Sequence, residues 1–149
     1  MDDLEELEKM FGKILEEFPE ERRKLVETAG EKLCRRVLRN IDSETETKSG
    51  NLREACEKHI GSEGGYAAIR NNYRKAPHAH LVENGHRLMK GAEKKEGRYG
   101  KLVNIKGSGE EIGWVQGKFM YRNAVNELAD ELEEDAKQTM EKVLKEAGF

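Results

Sequence analysis

Apolar residues recur every three or four positions at both ends of the chain and lose that rhythm between them. Leu4, Leu7, Phe11, Ile14, Leu15 and Phe18 form a stripe on an acidic segment, the spacing of an amphipathic helix. Phe18-Pro19 ends it, because proline lacks an amide proton and disfavours helical geometry in the residue before it. Proline fits the first turn of a helix, so a second helix is expected to start there. Its stripe runs Leu25, Val26, Ala29, Leu33, Val37, Leu38 and Ile41, with Gly30 weakening it by about 1 kcal/mol relative to alanine. Asp42 to Gly50 is polar and reads as a linker. The clearest element is last. Val125, Leu128, Leu132, Ala136, Met140, Val143 and Leu144 predict one face of a helix from about 119 to 147, roughly 40 Å long.

Between residues 50 and 117 the period changes. Asn51 with Glu54 three residues on is an N-cap arrangement and predicts a short helix over 52–59. Glycines at 61, 64 and 65 introduce Tyr66-Ala-Ala-Ile-Arg70, an expected strand. Lys101 to Ile105 and Ile112 to Val115 are two more, joined by Lys106-Gly-Ser-Gly109, and are expected to pair as a hairpin with Trp114 in its packed face. The expectation is an α+β fold in which a small antiparallel sheet is flanked by N-terminal helices and one long C-terminal helix. A single domain over 1–149 is expected, with a helical region 1–41, a β-rich middle 42–117 and the terminal helix 118–149.

Composition narrows the classes. Charged residues make up 38% of the 149 and hydrophobic ones 36%, and no run approaches the ~18 apolar residues of a membrane span. The acidic start MDDLEELEKMF has no basic region followed by an apolar one, so no signal peptide is read there. A net charge of −3 argues against wholesale nonspecific nucleic-acid binding. Aromatic residues are only 6%, thin for a self-sufficient core, so partners or copies of the chain are expected to complete it. The charge is uneven. Residues 1–18 carry seven acids and two bases, net −5, while residues 87–111 carry seven bases and four acids, net +3. Those bases are Arg87, Lys90, Lys94, Lys95, Arg98, Lys101 and Lys106, interspersed with five glycines. This composition predicts a mobile, solvated insertion and a candidate interface loop.

Catalytic templates are sparse. Cys34 and Cys56 make neither a disulfide framework nor a zinc motif, and Cys34 falls on the apolar stripe of its helix. His78, His80 and His86 cluster near Glu83, but their order matches no spaced metal signature, so a tight turn around Gly85 is the simpler reading. No nucleophile elbow, P-loop or dinucleotide fingerprint occurs. No catalytic, cofactor-binding or metal residue is assigned.

Three segments carry a resemblance: Thr47-Lys-Ser-Gly-Asn-Leu-Arg53, Ala79-His-Leu-Val-Glu-Asn-Gly-His86 and Val115-Gln-Gly-Lys-Phe-Met-Tyr-Arg-Asn-Ala124. In this order, ahead of a long terminal helix, they resemble the neck, or head–tail joining, proteins of long-tailed phages and prophages, the lambda gpZ-like tail-completion group. The resemblance covers about residues 45–147. Gln116 stands where that pattern often has proline, Phe119 where it often has histidine or proline, and 87–111 is longer than in compact members. Carried over as structural motif positions are Gly50, Asn51, Leu52, Val82, Glu83, Gly85, His86, Gly117, Phe119, Met120 and Ala124. Of these, Glu83 is expected to accept hydrogen bonds from its turn, and Phe119 and Met120 to anchor the last helix.

The resemblance implies a non-enzymatic virion component, assembled in the bacterial cytoplasm into the neck or tail. Its expected partners are copies of itself in a ring and the connector, tail-terminator or tail-tube proteins, with nonspecific contact to channel DNA as a further possibility and no membrane. Two alternatives from other classes stand beside it: a nucleic-acid enzyme using His78, His80 and His86, and a protein-binding adaptor outside any virion.

Overall fold

The structure is a computed structural model that describes residues 16, 18–46 and 50–148. The leading stripe from Leu4 to Leu15 lies outside the described residues, as do Thr47 to Ser49 of the first motif. The chain is mixed α+β and forms two compact units, one of residues 1–77 with 120–149 and one of residues 78–119. The β-rich middle is therefore divided between them.

The first unit is built on two long helices. Helix α1, Pro19–Glu44, starts with its proline in the first turn and ends where the Thr45 hydroxyl and amide both donate to the Ile41 carbonyl. Helix α4, Met120–Glu146, packs along it. Ion pairs fix the pairing as antiparallel: Glu21 meets Lys142, Lys32 meets Asp135 and Glu131, and Arg36 meets Glu127. At one end the Asn40 side-chain amide donates to the Met120 carbonyl at 3.1 Å. Val37, Ile41, Met120, Ala124, Leu128 and Val143 are buried between the elements. The expected stripe on α4 is only partly the buried line. Leu128 and Val143 are on it and Leu132 is half-buried, whereas Val125 is 50% exposed and Ala136 is exposed.

After α1, Gly50 adopts a left-handed φ of 72° and caps a single turn, α2, Asn51–Glu54. The helix expected over 52–59 stops there because strand β1, Cys56–Ile60, pairs antiparallel with β2, Ala67–Asn71. The buried Ala55 is already part of that hairpin, its carbonyl accepting from the Asn72 amide at 2.7 Å. A 3₁₀ turn, Ser62–Gly64, joins the strands, and the hairpin lies on α1. Gly30 makes that approach possible: a Cβ there would stand 2.9 Å from the Ala67 Cβ.

The second unit opens with α3, Ala79–Asn84, followed by β3, Gly85–Lys90. β4, Lys94–Glu96, β5, Leu102–Asn104, and β6, Glu110–Gln116, complete it. β3 pairs antiparallel with β6, from Gly85↔Gln116 to Lys90↔Glu110, with a register shift between Leu88 and Met89 that leaves Ile112 as the extra residue. Beyond it β4 pairs with β5. Twelve of the 25 residues of 87–111 are thus in strands, more regular structure than its glycines and charges suggest. The hairpin expected between 101–105 and 112–115 does not form either, as each strand takes an earlier partner. Ser108 explains the routing. Its hydroxyl bonds to the Ile105 carbonyl at 2.7 Å and accepts from the Glu93 amide at 3.0 Å, so the chain turns back beside β3.

Candidate functional site: a glycine-locked ribbon

Two of the three motif segments meet in the second unit. At the end of α3 the Val82 and Glu83 carbonyls accept the Lys118 and Phe119 amides, at 2.8 and 3.0 Å. The Glu83 acceptor in this bond is the backbone carbonyl. Gly85 follows with φ of 81°, and a Cβ on it would overlap the Val115 carbonyl oxygen and lie 2.8 Å from the Gly117 amide. A Cβ on Gly117 would in turn overlap the Glu83 carbonyl oxygen and lie 2.6 Å from the Asn84 carbonyl carbon. Two glycines thus face each other across a contact that only bare backbone fits. This is the physical content of the two turns, and it sets the root of the β3–β6 ribbon.

The chain leaves the lock through Phe119, a non-glycine residue held at φ of 50°, which is uncommon for a bulky side chain. Phe119 is half-buried, while Met120 and Ala124 are fully buried in the first unit. Gly50, Asn51 and Leu52, from the remaining motif, also belong to the first unit, with Leu52 half-buried. Val82 is half-buried too. His86 sits opposite Val115 in β3, and its buried Nδ1 has no hydrogen-bond partner. His78 and His80 are exposed on either side of the start of α3. Among the described residues no three His, Cys, Asp or Glu side chains are grouped to hold a metal ion.

All seven basic residues of the candidate interface are exposed. Arg87 pairs with Glu111 at 3.4 Å. Lys90 stands opposite Glu110, Lys94 opposite Asn104 and Lys95 opposite Val103. Arg98 lies in the 3₁₀ turn Arg98–Gly100, while Lys101 and Lys106 lie between strands. Among the described residues the last six form no ion pair.

What the sequence did not reveal is how much apolar surface these charges accompany. Trp114 is 57% exposed, not packed, because no layer of this unit covers either face of a two-stranded ribbon. Leu88, Met89, Tyr99, Leu102, Val103, Ile112 and Val115 are exposed with it. Strict alternation would have marked a solvated face; its absence here, with apolar residues on both faces, was the available signal.

A second grouping was invisible in the sequence because its members are far apart. Cys56 of β1 neighbours Cys34 of α1 and Tyr121 of α4. Burial, then the Cys34 thiol, pushes the Cys56 thiol up to about 11, against the lowering effect of Tyr121.

Comparison with protein-family models, curated proteins and solved structures finds no match to this chain.

Proposed function

We propose that the chain is a structural virion protein of a tailed phage or prophage that joins head connector and tail during assembly. One observation carries the reading: the two turns that resemble the head–tail joining pattern interlock through Gly85 and Gly117, immediately before the long terminal helix. A shared pattern whose segments form one mutually dependent contact has a structural reason to recur as a unit. The exposed ribbon supports the same reading, since a two-stranded ribbon with uncovered faces is marginal in water until a partner buries it. In this role the chain works as a subunit in a ring with copies of itself, between connector and tail-terminator or tail-tube proteins. It needs no catalytic residue, cofactor or metal.

The test is deletion of the coding segment from a phage or inducible prophage that carries it, with complementation in trans. Electron micrographs should show filled heads and free tails in the deletion and joined particles once the intact chain is supplied. Normal numbers of tailed, infectious particles from the deletion would overturn the reading.

A further inference from the structure

The exposed ribbon has a complementary surface on the same chain. Helix α4 carries six acids between Glu127 and Asp135 and no base among them. Glu127, Glu131 and Asp135 turn toward α1, where Arg36 and Lys32 neutralise them. Asp130, Glu133 and Glu134 are exposed and lie away from the buried Leu128, as a period of 3.6 residues requires, with Glu133 also paired to Lys137 at 2.8 Å. Beside them runs an apolar line of Val125, Ala129, Leu132 and Ala136, at spacings of four, three and four. Val125 is 50% exposed, Ala129 and Ala136 are exposed, and Leu132 is half-buried. Part of the stripe that makes α4 so legible as an amphipathic helix is therefore not used by its own core.

The ribbon, taken as β3–β6 together with the β4–β5 pair between them in the chain, is the converse surface. Leu102, Ile112 and Trp114 are bulky and 68%, 52% and 57% exposed, where the helix line offers small residues. Segment 87–111 is net +3, which leaves −6 on the rest of a chain of net −3. From these two complementarities we infer that the ribbon of one copy docks on the outward face of α4 of a second copy, bulky residues over Val125, Ala129 and Ala136, bases against Asp130, Glu133 and Glu134.

Two other occupants fit worse. The apolar stripe of residues 1–18 carries a net charge of −5, so the acidic face of α4 repels it. Duplex DNA would meet Glu93, Glu96, Glu110 and Glu111 among the ribbon's bases and would leave Leu102 and Ile112 in water. Because the two surfaces differ, the contact is heterologous, which closes into a ring or runs on as a filament according to the rotation between copies. The inference deepens the ring partnership proposed above and rests on it only for its biological setting.

The test is the solution mass of the full chain by light scattering. Four proteins are compared: wild type, a ribbon variant (K94E, K95E, K101E), a helix variant (D130K, E133K, E134K) and a chain carrying all six changes. Circular dichroism melting checks that each is folded. Wild type should show a multiple of 17.0 kDa that dissociates as salt rises. Each three-residue variant alone should be a monomer. Their equimolar mixture should assemble beyond two copies by alternation, because the native ribbon then meets the native helix face and the reversed ribbon the reversed one. The six-residue variant, with both signs reversed, should regain the wild-type mass. Should a triple reversal not fold, K95E and E133K are read the same way, and V125Q should weaken the assembly without changing a charge.

A monomeric wild type, a reversed variant that assembles normally, or a folded six-residue variant that stays monomeric would each overturn the inference. Loss of duplex-DNA binding in the ribbon variant with its mass unchanged would assign the ribbon to DNA instead. The two proposals fail separately. Copies that assemble by these surfaces but do not support tailed particles refute only the virion role. Tailed particles built from a chain that is monomeric in solution, or that assembles through other surfaces, refute only this contact.

Discussion

The helix pair and the ribbon place their apolar residues in opposite ways. In the first unit Ile41 and Met120 are fully enclosed and Val37 nearly so, and the charges form a line of ion pairs along the helix contact. In the second, residues of the same apolar kind sit on strands whose faces are open, and the fixed point is a backbone contact between two glycines. One unit is held mainly by side-chain burial, the other by main-chain geometry. What one part lacks in core it offers as surface.

Core truncation should show the largest effect. Ile41→Ala removes a fully buried side chain at the contact of α1 with its neighbours, a change that typically costs about 2–5 kcal/mol. At about 2–4 °C per kcal/mol for a domain of this size, the midpoint should fall by roughly 4–20 °C. Trp114→Ala, a larger deletion by volume, should leave the midpoint of the isolated chain within about 1 °C, because a 57% exposed side chain has little burial to lose. Equal effects in a thermal melt would dissolve the contrast between the units.

Next in size is the glycine lock. Gly85→Ala forces a Cβ against the Val115 carbonyl at a φ that alanine resists. Backbone strain and separation of the two turns together should cost about 1–3 kcal/mol. The loss should be local. Amide exchange should accelerate in β3 and β6 while the centres of α1 and α4 keep wild-type protection. Gly117→Ala should reproduce that pattern, since its Cβ meets the other side of the same contact. Uniform loss of protection would mean that the units unfold together.

The two units also differ in how far the sequence disclosed them. The α1 start at Pro19 and the terminal helix, read as 119–147 and found as Met120–Glu146, followed from local signals that no tertiary contact opposed. The strand expected at 66–70 lies within one residue of Ala67–Asn71. Pairing partners were not legible. Lys101 to Ile105 and Ile112 to Val115 look like hairpin arms, yet the Ser108 bonds to Glu93 and Ile105 send them to different strands. The short helix overran into β1 because an N-cap pattern says where a helix starts and nothing about the strand that competes for its second turn. Of the site, Gly85 and Gly117 stand in the motif segments, but their facing each other depends on a contact 32 positions apart that no local pattern encodes.

A smaller effect should appear at Gly30. Alanine is the better helix former by about 1 kcal/mol, so Gly30→Ala on an open face of α1 would stabilise. Here the new Cβ stands 2.9 Å from the Ala67 Cβ, closer than two carbons pack, so β2 must shift away from the helix. The clash outweighs the propensity gain, and a net loss near 1 kcal/mol is expected. Adding Ala67→Gly should recover part of it by vacating the space. A double-mutant cycle without coupling would remove this contact from the account of how the hairpin is seated.

The smallest effect is alkaline and again separates the units. Cys56 and Lys32 both lie in the first unit and both have raised pKa values. Burial and then Cys34 lift the Cys56 thiol from an ordinary 9.0 to about 11. Hydrogen bonds to Asp135 and then Glu131 lift Lys32. A group whose pKa is higher folded than unfolded contributes its full stability below the unfolded value and loses it as pH rises through the folded one. Urea midpoints should therefore hold up to about pH 9 and decline toward pH 11. Cys56→Ala should remove the thiol's share of that decline. Nothing of the kind is expected from Trp114→Ala or from either glycine variant. The thiol can also be watched directly. Alkylation needs the thiolate, so iodoacetamide at pH 8 should label Cys56 at least about tenfold more slowly in the native chain than in urea. Equal rates would mean that the contact of α1, β1 and α4 around Cys56 is open to solvent, and with it the enclosed core that distinguishes this unit from the ribbon.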